Sequence, residues 1–155
     1  MILYLDASAA VKRYVIEPGT AEVRQAIEAS AMMGTGLISR AEISAALSKA
    51  ARMGVLLPDE AEAALEAFRA EWPDFIRIQI TEALVAWADS LAWQHGLRGY
   101  DAVHLAAALT WQEGMGKPVT LATFDRRLWE SARQSGLLVF PEDLPATLAA
   151  WSGVP

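Results

Sequence analysis

With 155 residues, 54% of them hydrophobic, and a mean hydropathy of +0.21, the chain has the composition of a compact domain and not of a disordered one. A net charge of −6 is the wrong sign for gripping nucleic acid by bulk electrostatics, although a local basic rim or a basic partner remains compatible with it. The lack of cysteine excludes disulfides and thiolate zinc sites, and with only His95 and His104 as imidazoles any metal centre must rest on oxygen.

The N-terminal MILYLDASAA reaches an acid at position 6 without a basic leader, so no signal peptide is expected. Ile2–Leu5 is a short continuous apolar run, the pattern of a strand buried on both faces. A helix is expected from about Ala7 until Pro18-Gly19 breaks it, and Thr20 caps a second one to about Ala31. Gly34 and Gly36 predict a turn before a brief strand at Leu37-Ile38. Ser39 opens an alanine-rich helix that Gly54 stops. Pro58 starts the next, with an apolar stripe of Ala61, Leu65, Phe68 and Trp72, and Pro73 ends it. Ile76, Ile78 and Ile80 alternate with Arg77 and Gln79 as a half-exposed strand. Thr81 caps a helix to about His95, and Asp101 begins another to about Glu113. Val119–Phe124 is a second buried strand, Asp125–Gln134 a helix, Leu137–Phe140 a last strand, and Pro145–Trp151 a further helical turn or two. No apolar run approaches the roughly 18–20 residues that span a bilayer, so no membrane is expected and a cytoplasmic location fits.

Strands alternating with helices imply a central, mostly parallel sheet covered on both faces, an α/β/α three-layer sandwich, with one domain over residues 1–155. In such sheets ligands bind outside the carboxyl ends of the strands. Asp6 and Asp125 fall at two of those ends. With Glu42 in ISRAEISAAL and Asp101 in RGYDAVHLAAAL they are four acids set in apolar or alanine-rich runs. Carboxylates drawn together out of water repel one another unless a cation holds them, and all-oxygen ligands suit magnesium or manganese. A plainer reading stands beside this one. Asp6, Asp101 and Asp125 each precede helical sequence and can serve as N-caps, and Ser39-x-x-Glu42 is a capping-box pattern.

The stretches LDASAAVKRYVIEPGT, SRAEISAAL, LRGYDAVHLAAAL and LATFDRRLWESARQSG, in that order, resemble the PIN domain, and within it the VapC-type toxins of bacterial and archaeal toxin–antitoxin pairs. The resemblance runs from Met1 to about Phe140. It implies an active site of Asp6, Glu42, Asp101 and Asp125, with Asp6 and Asp101 as the foremost metal ligands, Asp125 next, and Glu42 either ligating or aligning a water. Ser8 matches the family's D-x-[ST] position and Thr123 the T-x-D threonine, small hydroxyls suited to orienting a carboxylate. The implied activity is metal-dependent cleavage of RNA, with one or two Mg²⁺ or Mn²⁺ ions. The implied partners are an RNA substrate, a cognate antitoxin and a second copy in a homodimer. Arg126 and Arg127 depart from relatives that carry another acid there. The alternatives are a PIN nuclease of RNA maturation without an antitoxin, and an interaction domain whose acids merely cap helices. A HAD-type phosphotransfer enzyme wants D-x-D, where this chain has Ser8.

Lys49, two helical turns beyond Glu42, and Arg126 and Arg127 beside Asp125 are the candidate RNA contacts. Arg98 also flanks an acidic motif. His104, three residues after Asp101, is expected to make a structural hydrogen bond. Trp87 reads as core, and Trp93, on the opposite side of its helix, as a candidate dimer or partner surface.

Overall fold

The computed structural model describes residues 1–153; the expected domain runs to Pro155, and its last two positions lie outside the described residues. Five strands form one sheet in the order β3-β2-β1-β4-β5, every neighbouring pair parallel. These are β1 (Ile2–Leu5), β2 (Met32–Gly36), β3 (Ile76–Ile78), β4 (Val119–Ala122) and β5 (Leu138–Phe140). The helices are α1 (Ala7–Ala10), α2 (Thr20–Glu28), α3 (Ser39–Arg52), α4 (Pro58–Glu71), α5 (Glu82–His95), α6 (Gly99–Met115), α7 (Arg126–Gln134) and α8 (Leu144–Ser152).

The alternation of side chains along β1 divides the core in two. Ile2 and Tyr4 face a cluster built with Leu84, Leu91, Leu105, Leu121 and Leu128, which places α5, α6 and α7 on that side. Leu3 and Leu5 face Ala9, Val23, Ile43, Leu47 and Phe68, which places α1 to α4 on the other. The three-layer α/β/α arrangement follows, and its sheet is wholly parallel. The strand order runs outward from β1 in both directions, so the chain switches direction between β1 and β4. At that point the loop after β1 leaves toward one layer and the loop after β4 toward the other, opening a crevice at the carboxyl ends of the strands.

Several local expectations are corrected by packing. Gly34 and Gly36 lie inside β2, and Leu37-Ile38 is the turn that follows. A Cβ on Gly34 would stand 2.7 Å from the Trp111 ring, and one on Gly36 would stand 2.8 Å from the Tyr4 hydroxyl. Both glycines are there because other side chains press against the strand, not because the chain turns. The first helix is one turn, followed by a 3-10 turn at Val11–Arg13, well short of Pro18. Gly19, at φ 90°, is the N-cap of α2, while the Thr20 hydroxyl accepts from the Glu17 amide and donates to the Val15 carbonyl. β3 stops at Ile78 and β4 at Ala122. Thr81 does cap α5, accepting from the Leu84 amide, and Gly96 closes that helix in the left-handed conformation. Trp87 packs partly buried against the core, and Trp93 is 93% exposed. Among the described residues no helix is long and apolar enough to cross a membrane.

Candidate active site

Asp6 is the first residue past β1, and its side chain is cornered. Oδ1 accepts from the Ala9 amide at 2.8 Å, capping α1, and from the Ser8 hydroxyl at 2.7 Å; Oδ2 accepts from the Thr123 hydroxyl at 2.6 Å. The residue is only 4% exposed. Burial pushes its carboxyl above the usual range, while the neighbouring His104, the two hydroxyls and the Ala9 amide pull it back down. Without those donors a carboxylate at this depth would be strongly disfavoured.

The two hydroxyls also join the loops after β1 and β4. Ser8 Oγ accepts from the Phe124 amide at 3.0 Å, and Thr123 Oγ1 accepts from the Asp125 amide at 3.1 Å. The D-x-S and T-x-D segments are thereby interlocked, and the position of Asp125 depends on the hydroxyl that holds Asp6. Asp125 itself caps α7 through Oδ1 on the Leu128 amide. Capping uses one oxygen of each aspartate, so an N-cap and a site ligand are compatible roles here.

The other two acids depart from the capping pattern. Helix α6 begins at Gly99 with Arg98 as its N-cap, which leaves Asp101 inside the first turn and not at its start. Ile38 is the N-cap of α3, and Ser39 is buried with its hydroxyl 2.7 Å from that of Thr35, so no capping box forms with Glu42. Glu42 Oε2 instead lies 2.6 Å from His104 Nε2, and His104 Nδ1 lies 2.9 Å from the Tyr4 hydroxyl. A carboxylate can only accept, so Nε2 carries a proton. In the neutral ring Tyr4 donates to Nδ1; in the charged ring Nδ1–H donates to the Tyr4 oxygen, and the Glu42 contact survives in both. Burial works against a charged His104, yet its bond to Glu42 and the charges of Asp6, Glu42 and Asp101 hold its pKa above 6.5. The Tyr4 hydroxyl, raised by burial and then by the charge of Asp6, stays protonated.

All four acids line one pocket of about 320 Å³, together with Ser8, Arg98, His104 and Phe124. Arg98 crosses it: Nε donates to Asp101 Oδ2 at 2.8 Å and Nη2 to Asp125 Oδ2 at 3.1 Å. Among the described residues no three carboxylate or imidazole groups are gathered closely enough to cage an ion as they stand. The guanidinium nevertheless acts as a stand-in cation, showing that the Asp101–Asp125 side of the pocket draws positive charge. Arg126 and Arg127 line an adjoining recess with Arg98, Asp101 and Asp125, and Arg127 also donates to the Gly96 carbonyl. Lys49 is exposed and does not line the acid pocket. Sequence reasoning left Arg98 outside the site and missed Tyr4. The i,i+3 spacing of Arg98 to Asp101 was a usable signal for the first; nothing local to Tyr4 announces a partner one hundred residues away.

Acids from the ends of two parallel strands and the first turns of two helices converge at the switch point, the place where open α/β sheets bind their ligands. The family model for the PIN domain matches residues 3–133. The curated protein Ribonuclease VapC45 of Mycobacterium tuberculosis is 34% identical over 148 residues, covering 92% of this chain and 97% of that protein. Ribonuclease VapC3 of Pyrobaculum aerophilum is 33% identical over 132 residues, covering 84% and 94%. The chain therefore belongs to the PIN-domain family, among relatives named as VapC ribonucleases. Solved structures share the fold at lower identity. PAE2754 from Pyrobaculum aerophilum matches with a TM-score of 0.62 at 21% identity over 96% of this chain and 90% of that one. VapBC2 from Rickettsia felis, bound to a promoter DNA fragment, matches with a TM-score of 0.60 at 16% identity, covering 90% and 97%.

Proposed function

We propose that this chain is a divalent-metal-dependent endoribonuclease and the toxin half of a toxin–antitoxin pair. The observation that carries the proposal is the convergence of Asp6, Glu42, Asp101 and Asp125 on one pocket, with a guanidinium already drawn between two of them. The names of the curated relatives support RNA as the substrate. The toxin–antitoxin complex from Klebsiella pneumoniae, which shares the fold at a TM-score of 0.59, 19% identity and coverage of 81% and 87%, supports an antitoxin partner. A homodimer and a cytoplasmic location belong to the same proposal.

The donor set fits a hard cation. Each acid offers the pocket carboxylate oxygens, and a guanidinium already bridges Asp101 and Asp125. Asp6, Asp101 and Asp125 would hold Mg²⁺ or Mn²⁺, which when bound supplies Lewis acidity and neutralises charge on the phosphoryl group. The remaining work falls to the chain. Glu42 has one oxygen fixed by His104, which leaves Oε1 to take a proton from the attacking water. Thr123 and Ser8 favour the ionised form of Asp6 and aim it. Arg98, whose side chain is exposed, is placed to turn from the acids to a phosphate oxygen. Arg126 and Arg127 extend that positive rim and offset the acidic net charge where RNA must approach.

The test is cleavage of total RNA by the purified protein with Mg²⁺, with Mn²⁺ and with chelator, alongside identically prepared Asp101→Asn. Cleavage that requires metal and disappears in the variant is the expected result. Absence of cleavage, together with no Mn²⁺ binding by calorimetry, would leave the acids as helix caps of an interaction domain.

A further inference from the structure

A second recess of about 580 Å³ opens beside the acid pocket, between α5 and the first turn of α6. It shares Glu42, Arg98 and Asp101 with that pocket, so the two adjoin along those residues. Val85, Ala88 and Ala92 on α5 and Val103 on α6 make its walls apolar. Besides the three residues shared with the acid pocket, Tyr100 and Asp89 break that lining. Tyr100, next to Asp101, is 66% exposed, and Asp89 faces the recess from α5. Neither side chain hydrogen-bonds to any other described residue, so the fold itself makes no evident use of them.

The chemistry of this lining points to one kind of occupant. Apolar walls with an exposed aromatic ring favour a flat, weakly hydrated ring, and stacking of a nucleobase on an aromatic side chain is tolerant of sequence. The Asp89 carboxylate repels a phosphate and can only accept hydrogen bonds, so it selects a base edge that donates. Guanine offers two adjacent donors, N1–H and the 2-amino group, to the two carboxylate oxygens. Uracil offers one N–H flanked by two carbonyls, which the carboxylate would repel. The recess shares Arg98 and Asp101 with the acid pocket, so a base bound there would lie beside a phosphate held at the acids.

We propose that this recess is the base-reading subsite of the nuclease, taking the nucleobase beside the scissile phosphate, with Tyr100 as its stacking face and Asp89 selecting guanine. The proposal rests on the ribonuclease reading above. It is tested with the full-length protein by steady-state cleavage of RNA and by sequencing the cleaved ends. Wild type should cut beside guanine. Tyr100→Ala should raise KM about tenfold with a much smaller change in kcat, and Tyr100→Phe should restore it. Asp89→Asn, whose amide both donates and accepts, should relax the guanine preference without abolishing cleavage. RNA that is cut with wild-type KM and unchanged end composition by Tyr100→Ala and Asp89→Asn would overturn the subsite while leaving the nuclease intact. If wild type cuts no RNA, the ribonuclease reading itself falls, and the subsite with it. Analytical ultracentrifugation supplies the remaining arm. A dimer that Tyr100→Ala dissociates, with activity lost in proportion, would assign the recess to a second copy of the chain and refute base binding.

Discussion

Replacing Tyr4 by phenylalanine removes one hydroxyl from the centre of β1 and leaves the aromatic packing in place. That hydroxyl is wholly buried, 2.9 Å from His104 Nδ1, and the two rings meet edge to face with centroids 5.9 Å apart. Its loss strands a ring nitrogen that is itself in a residue only 2% exposed, and leaving a buried polar group unpaired costs about 1–3 kcal/mol. For a domain of this size each kcal/mol corresponds to roughly 2–4 °C in Tm. Calorimetric melting and urea unfolding of the metal-free protein should both show the loss. A double-mutant cycle with His104→Leu should be non-additive, because with both changed neither the buried hydroxyl nor the ring nitrogen is left without the other. The functional readout follows from the next bond in the chain, 2.6 Å from His104 to Glu42. With His104 released at one end, Glu42 loses its fixed orientation, and kcat should fall while RNA binding is preserved. A Tyr4→Phe protein within about 0.5 kcal/mol of wild type and additive with His104→Leu would refute the chain of contacts.

Three other outcomes follow from the same structure. Thr123→Val removes the hydroxyl that donates to Asp6 and accepts from the Asp125 amide; unfolding free energy should drop by about 1.5–3 kcal/mol, the worth of a hydrogen bond to a charged group, and cleavage should fall with it. Arg98→Ala takes the guanidinium from between Asp101 and Asp125, and calorimetry should show Mn²⁺ binding severalfold more tightly while KM for RNA rises. Glu71 is held below its usual 4.5 chiefly by its hydrogen bond with Arg13, which outweighs the opposing effect of burial, with the Tyr14 hydrogen bond and the Arg13 charge adding to it. A carboxyl depressed in the folded state stabilises above its unfolded pKa and loses that contribution as pH falls through the folded one. The stability gap between wild type and Glu71→Gln should therefore be constant above about pH 5.5 and shrink below pH 4.5, as measured by urea unfolding across that range.

Much of this protein was legible in one dimension. The apolar run at Ile2–Leu5, the caps at Asp6, Thr81 and Asp125, and the stops at Gly54, Pro73 and Gly96 are short-range signals, and they located most of the strands and helices, though not β2, and so the parallel, doubly covered sheet. The four acids were conspicuous because each sits in sequence that otherwise belongs to a core. What local signals could not carry is which oxygen faces which partner. The bonds that shape the site join residues 62, 100 and 117 positions apart, and their existence depends on β1 lying between β2 and β4. The same strand order turned Gly34 and Gly36 from apparent turn residues into clearances for Trp111 and Tyr4. It also made the S-x-x-E of α3 a support for His104 instead of a capping box. Capping and periodicity are properties of a few consecutive residues, so the sequence determined most of the elements and nominated the acids. Burial and hydrogen-bond partnership are properties of the packed sheet, so only the tertiary structure decided how Asp6, Glu42, Asp101 and Asp125 are held, and that Arg98 and Tyr4 stand with them.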